Sequence, residues 1–133
     1  MRDSYANLLP VTSINPAART ATINGSTVDR YASGAMYQDA LIIVHTGTIT
    51  DGTHTITVEE SDDNSAWATA TSLVGTAPVI DNTGDNNKCF AVRYTGMKRY
   101  VRVRSAVAGA TTGGVYGATV LLSDPRVMPA VQA

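Results

Sequence analysis

At 133 residues the chain is long enough for one domain with a core of its own. Charged residues make up only 16% and the formal net charge is −1, so there is no overall electrostatic case for nucleic acid or an anionic membrane surface. The single cysteine excludes an intrachain disulfide, and no apolar run reaches the roughly 20 residues of a membrane span.

The N-terminal residues Met1 to Tyr5 contain no apolar core of a signal peptide, which predicts a protein made and used in a cytoplasm. Residues 1–19 read as an extended arm. Pro10 and Pro16 forbid a regular helix, while Leu8, Leu9, Val11 and Ile14 give the arm apolar side chains to dock, with a neighbouring chain as the natural acceptor. Thr20 to Ile23 is a short strand, followed by a turn at Asn24-Gly25. Ala40 to Val44 is a continuous β-branched apolar run, expected to be a strand buried on both faces.

Asp51-Gly52 then separates Thr46–Thr50 from the alternating stretch Thr53–Glu60. That is the pattern of a β-hairpin, with Ile56 and Val58 inward and Thr55, Thr57 and Glu59 outward. The acidic turn Ser61 to Ser65 leads to Trp67, expected to cap one end of the core. Short strand pieces at Leu73-Val74 and Val79-Ile80 precede the polar loop 81–87. Cys89 to Tyr94 is a strand with Phe90, Val92 and Tyr94 on one face, and Cys89 reads as a small buried hydrophobe. Arg99 to Ser105 is a basic strand. Val115 to Leu122 is the last one, with Tyr116, Ala118, Val120 and Leu122 on one face. Residues 123–133, with Pro125 and Pro129, form a second arm. About eight short strands with closely spaced turns, and no amphipathic helix, define an all-β chain. The expected organisation is a single β-sandwich or jelly roll over 20–122, flanked by extended arms at 1–19 and 123–133.

The candidate chemistry is thin. Asp62, Asp63 and Asn64, and Asp81, Asp85 and Asn86, lack the ligand spacing of a calcium loop and read as turns. His45 and His54 flank Asp51-Gly52 without a third ligand for zinc. Glu59 and Glu60 are adjacent in a strand and point to opposite faces, so they form no carboxylate pair. No nucleophile elbow or phosphate-binding loop is present. The expectation is therefore no catalytic residue, no cofactor and no metal. Arg102 and Arg104 share a face with Tyr100. Pairing with Glu59 or Asp62 across the sheet, contact with acidic residues of a partner, and binding to nucleic acid or sugar all stay open for them.

Five segments together carry a resemblance: Val11 to Ala17, Thr46 to Thr53, Val58 to Asp63, Lys98 to Val103 and Gly109 to Ala118. The chain resembles small structural proteins of tailed bacteriophages encoded near the major capsid protein, the cement or decoration proteins. The resemblance implies a jelly-roll-like sandwich on the outside of a capsid. It also implies a dimer or trimer at local symmetry axes that bridges neighbouring copies of the major capsid protein, with no catalytic residues. On that reading the protein resides on the capsid exterior of the virion, is assembled in the host cytoplasm, and binds neither nucleic acid nor membrane. Leu8, Leu9, Ile14, Val127 and Met128 would be its apolar anchors, and Arg102 and Arg104 its polar contacts. Alternatives are a neck, tail or head-fibre component, and a discoidin-like carbohydrate-binding module. The order of strand, acidic turn, Trp67 and Arg-rich strand also resembles the latter.

Overall fold

A computed structural model describes residues 3–81 and 83–126. After a single helical turn, α1 (Ser4–Asn7), eleven strands follow. They are β1 (Leu8–Arg19), β2 (Ile23–Asn24), β3 (Val28–Asp29), β4 (Tyr37–Ile49), β5 (Thr53–Ser61), β6 (Ala68–Thr69), β7 (Leu73–Val74), β8 (Val79–Ile80), β9 (Cys89–Tyr94), β10 (Tyr100–Ala108) and β11 (Gly114–Pro125). Short 3₁₀ turns at Ala32–Gly34 and Thr83–Asp85 interrupt the connections.

The strands form two antiparallel sheets. The first runs β1-β11-β4-β9-β7. The second runs β2-β10-β5-β6, with β3 also on β10 and β8 also on β5. Alternation in the sequence decides what fills the space between them. Ile42, Val44, Val92, Tyr94, Tyr116, Val120 and Leu122 of the first sheet and Ile56, Val58, Val101 and Val103 of the second are all at most 2% exposed. The long strands β4, β5 and β10 bury every second side chain over most of their length, as a sheet with one face on a core must. The β-sandwich expected for the chain is present in this sense, as two antiparallel sheets over one core.

Three local expectations change. Residues 8–19, expected as part of an extended arm docked on a neighbouring chain, form β1, paired with β11 of the same chain from Leu8↔Ser123 to Arg19↔Gly114. Prolines are tolerated there because β1 is an edge strand, and its register shifts between Ile14 and Ala17, around Pro16. Residues 123–125 likewise complete β11. Asp51-Gly52 does not close a hairpin. β4 lies in the first sheet and β5 in the second, so this tight turn is a corner between sheets. Gly52 adopts φ +85°, and the Asp51 carboxylate anchors the corner by accepting from the Thr111, Thr112 and Gly113 N–H groups at 2.6–3.2 Å. These bonds, that of Gly113 foremost, hold the Asp51 carboxyl below its ordinary range. Finally, β4 is not buried on both faces: Leu41 and Ile43 are only half-buried on its outer side.

Candidate interaction surfaces

The basic strand spends most of its charge inside the chain. Arg102 stands opposite Glu59 in the β10–β5 register, and its Nε donates to Glu59 Oε1 at 2.8 Å. The pair is largely covered, with side chains 18% and 14% exposed. The guanidinium also stacks 4.2 Å from the Trp67 ring centre. Trp67 is half-buried beneath it and is not part of the core, so it does not cap the core as expected. Of the readings left open for Arg102, pairing with Glu59 is the one the fold realises; Asp62 instead holds Lys98, Nζ to Oδ2 2.5 Å. Arg99 makes a forked pair with Asp29, 2.9 Å in each arm, and stacks on Tyr31 and Tyr100. Arg104 is half-buried, between Asn24 and Thr57 in the register, with no ion pair among the described residues.

The apolar candidates fall differently. Leu9 and Ile14 are 6% and 1% exposed and belong to the core, so they are not available as surface anchors. They have opposite parity, and the register shift between Thr12 and Ile14 brings both inward, a bulge that is hidden while the segment is taken for an arm. Leu8 is half-buried at the start of β1. Val127 and Met128 lie outside the described residues.

The acidic turns are built as turns. Asp63 Oδ1 accepts from the Ser65 and Ala66 N–H groups at 2.9 Å and from Ser61 Oγ at 3.0 Å, which lowers its pKa. Asp85 Oδ2 accepts from Asp81 N–H, and Asn86 Oδ1 from Ile49 N–H. The two histidines are far apart in role. His45 is exposed on the outside of the first sheet, whereas His54 is fully buried, with Nδ1 3.0 Å from the Tyr116 hydroxyl and Nε2 3.1 Å from the Asp51 carbonyl. Tyr116 passes the chain on to Ser105 Oγ at 2.6 Å. Cys89 is exposed, not buried. With Phe90, Val92 and Tyr94 turned toward the core, parity puts Cys89 and Ala91 on the other face, where Cys89 pairs with His45 in the register. Among the described residues no group of His, Cys, Asp and Glu is placed to hold a metal ion, and no helix is long and apolar enough to cross a membrane.

The outward face of the first sheet is the larger feature. Two rows of side chains cross it: Pro10, Leu121, Leu41 and Arg93, then Thr12, Thr119, Ile43 and Ala91. Arg93 is the one charge in these rows, and Asp39 on the same face neutralises it, Nε to Oδ1 3.0 Å. Between Pro10, Pro16, Ile43 and Leu121 runs a shallow groove of about 480 Å³. A second concavity, about 310 Å³, lies where Tyr31, Met36 and Met97 meet Arg30, Lys98, Arg99 and Arg126. The sequence hints at neither, because each joins residues from distant segments. Compared with family models, with curated proteins and with solved structures, the chain finds no significant match in any of the three.

Proposed function

We propose that this chain is a non-enzymatic structural protein of a tailed-bacteriophage virion. It binds the outer surface of the capsid and stabilises it by bridging neighbouring major capsid protein subunits, as a dimer or trimer. The observation that carries the reading is the outward face of the first sheet. Its two central rows hold apolar and small side chains and one neutralised charge. Such a surface is covered by a partner without stranding an ion in a dry interface. Low overall charge and the resemblance to cement proteins point the same way. A jelly-roll reading is supported by the strand orders β1-β11-β4-β9 and β2-β10-β5-β6, in which the late strands β11 and β10 each lie between two early ones.

The mechanism is contact area multiplied by repetition. A standard interface buries about 1,600 Å² in total, and many weak copies on a closed shell add through avidity. Ile43 and Leu121 take the place of Leu9 and Ile14 as proposed apolar anchors, beside Leu8 and Arg104. A neck, tail or head-fibre position would use the same surface at lower copy number. The carbohydrate-binding alternative gains no support, since Arg102 already covers one face of the chain's only tryptophan.

The test is add-back of purified protein to capsids assembled without it. Wild-type protein sediments with the capsids, and Cys89, at the margin of the proposed contact, becomes slow to react with a maleimide. Ile43→Asp and Leu121→Asp remain folded and stay in the supernatant. Sedimentation of both variants at wild-type levels would refute this surface as the contact.

A further inference from the structure

The second concavity has a composition that the sheet face does not explain. Among the described residues seven large apolar side chains stand out as exposed, and three of them surround this one depression: Tyr31 at 45%, Met36 at 37% and Met97 at 92%. Its other walls bring four cations, Arg30, Lys98, Arg99 and Arg126, and no carboxylate. Two of the four have acid partners of their own, Asp62 for Lys98 and Asp29 for Arg99. The Arg30 guanidinium meets only main-chain carbonyls, those of Gly96, Lys98 and Gln38 at 2.8–3.1 Å, and stacks 5.4 Å from the centre of Tyr94. Its Nε is buried without a hydrogen-bond partner, and among the described residues no carboxylate pairs with it.

The backbone beneath is held in an unfavourable form. Met36 has φ +54°, a left-handed conformation that a side chain of this size rarely adopts. Two neighbours hold it there. The Arg126 N–H donates to the Ala35 and Met36 carbonyls at 2.8 and 3.3 Å, and the Tyr37 N–H donates to the Arg30 carbonyl at 2.8 Å. These bonds fix Met36 and Arg126 side by side at the mouth of the depression.

We infer that this depression is a docking site for an extended, acidic segment of a partner protein, one that places an apolar side chain between Met36, Met97 and Tyr31 and a carboxylate among Arg30, Lys98 and Arg126. Charge complementarity selects the occupant. A carboxylate answers the charge of Arg30 and Arg126, neither of which forms an ion pair among the described residues. A nucleic-acid backbone would bring several phosphates to a depression two of whose four cations, Lys98 and Arg99, are already paired with acids. The volume, about 310 Å³, suits one or two side chains better than a stacked run of bases. Methionine, tyrosine and arginine are also the residues enriched at the centres of protein interfaces. The inference rests on residues away from the outward sheet face, so it stands or falls separately from the capsid reading.

The experiment is selection from a random displayed-peptide library on the immobilised full chain. The most enriched peptide is then titrated by fluorescence anisotropy against wild type, Met97→Ala and Arg126→Glu, with an oligothymidine as competitor. The expected enriched sequences alternate aspartate or glutamate with leucine, phenylalanine or methionine. Affinity is expected to drop about tenfold in each variant, the loss of one anchoring contact, and to weaken with added salt. Met97 is 92% exposed, so Met97→Ala keeps the fold and serves as the control if Arg126→Glu unfolds. Three outcomes overturn the inference: no acidic consensus, a peptide that binds the variants as well as wild type, or displacement of the peptide by the oligothymidine. Loss of peptide binding to Ile43→Asp, with Met97→Ala unaffected, would also contradict it and place the peptide on the sheet face.

Discussion

The Arg102 guanidinium lies 4.2 Å from the centre of the Trp67 ring, so the chain's one tryptophan is stacked on its own protein before any ligand arrives. Glu59 completes the arrangement by pairing with Arg102 at 2.8 Å in a setting only 14–18% exposed. Removing one member strands the other in a largely covered site, whereas removing both does not. Arg102→Met and Glu59→Gln should therefore each destabilise the protein, while the double variant loses less than their sum, with a coupling of about 0.5–3 kcal/mol. Urea denaturation of the four proteins measures it. Strict additivity would mean that the pair is solvated and inert.

The buried chain from Asp51 through His54 and Tyr116 to Ser105 is the second polar commitment of the interior. Tyr116→Phe removes a hydroxyl that serves both His54 Nδ1 and Ser105 Oγ, all in residues at most 1% exposed. Its cost should be about 1–3 kcal/mol in chemical denaturation, the usual consequence of leaving buried polar atoms unpaired. A change below about 0.5 kcal/mol would mean that the two orphaned groups find each other or a water.

Stability should fall at both ends of the pH scale for nameable reasons. The carboxyls of Asp29, Asp51 and Asp63 are lowered in the fold, by the Arg99 guanidinium for Asp29 and by main-chain N–H groups for the other two. A lowered carboxyl contributes stability above its unfolded value of about 4 and loses it as pH falls through the folded value. The melting temperature should hold down to about pH 5 and then decline, and Asp51→Asn should lower it at neutral pH and flatten the acid decline. At the alkaline end the Tyr94 phenol is pushed up to about 12, first by burial and then by donating to Glu60 at 2.5 Å. A raised phenol contributes fully below its unfolded value of about 10 and loses that contribution as pH rises toward the folded one, so Tyr94→Phe should shrink the alkaline decline. Thermal scans across pH follow both limbs. An acid limb unchanged in Asp51→Asn would remove the corner anchor from the account.

What was legible in the sequence was parity. The alternation of β5, β10 and β11 marks the inward residues Ile56, Val58, Val101, Val103, Tyr116, Val120 and Leu122, because a half-buried strand repeats every two residues. What was not legible was which sheet a strand joins. Asp51-Gly52 makes a tight turn whether the next strand pairs with the last or crosses to the other sheet, and only the anchoring loop 111–113 distinguishes the two. The prolines of β1 suggested an arm because their tolerance depends on lying at an edge, a property of the assembled sheet. Both concavities escaped for the same reason, as they join side chains from segments far apart in the chain.

Gly25 offers a sharper test of the seam between β1 and β10. Its N–H donates to the Val103 carbonyl at 2.7 Å, and a Cβ there would sit 2.5 Å from that same carbonyl oxygen. It would also press on Ser13, whose hydroxyl donates to the Ser26 carbonyl and accepts from the Val103 N–H at 3.0 Å each. Gly25→Ala should cost about 1–3 kcal/mol, as overpacking of a close backbone approach does. Equal stability of the variant would mean that β1 can move away from β10 freely.

The most direct measure of the proposed function is the heat resistance of capsids assembled with and without this protein, followed as release of packaged DNA on warming. Capsids lacking it should open at a lower temperature, and wild-type protein, but not Ile43→Asp, should restore them. Identical release curves with and without the protein would contradict a stabilising role on the capsid.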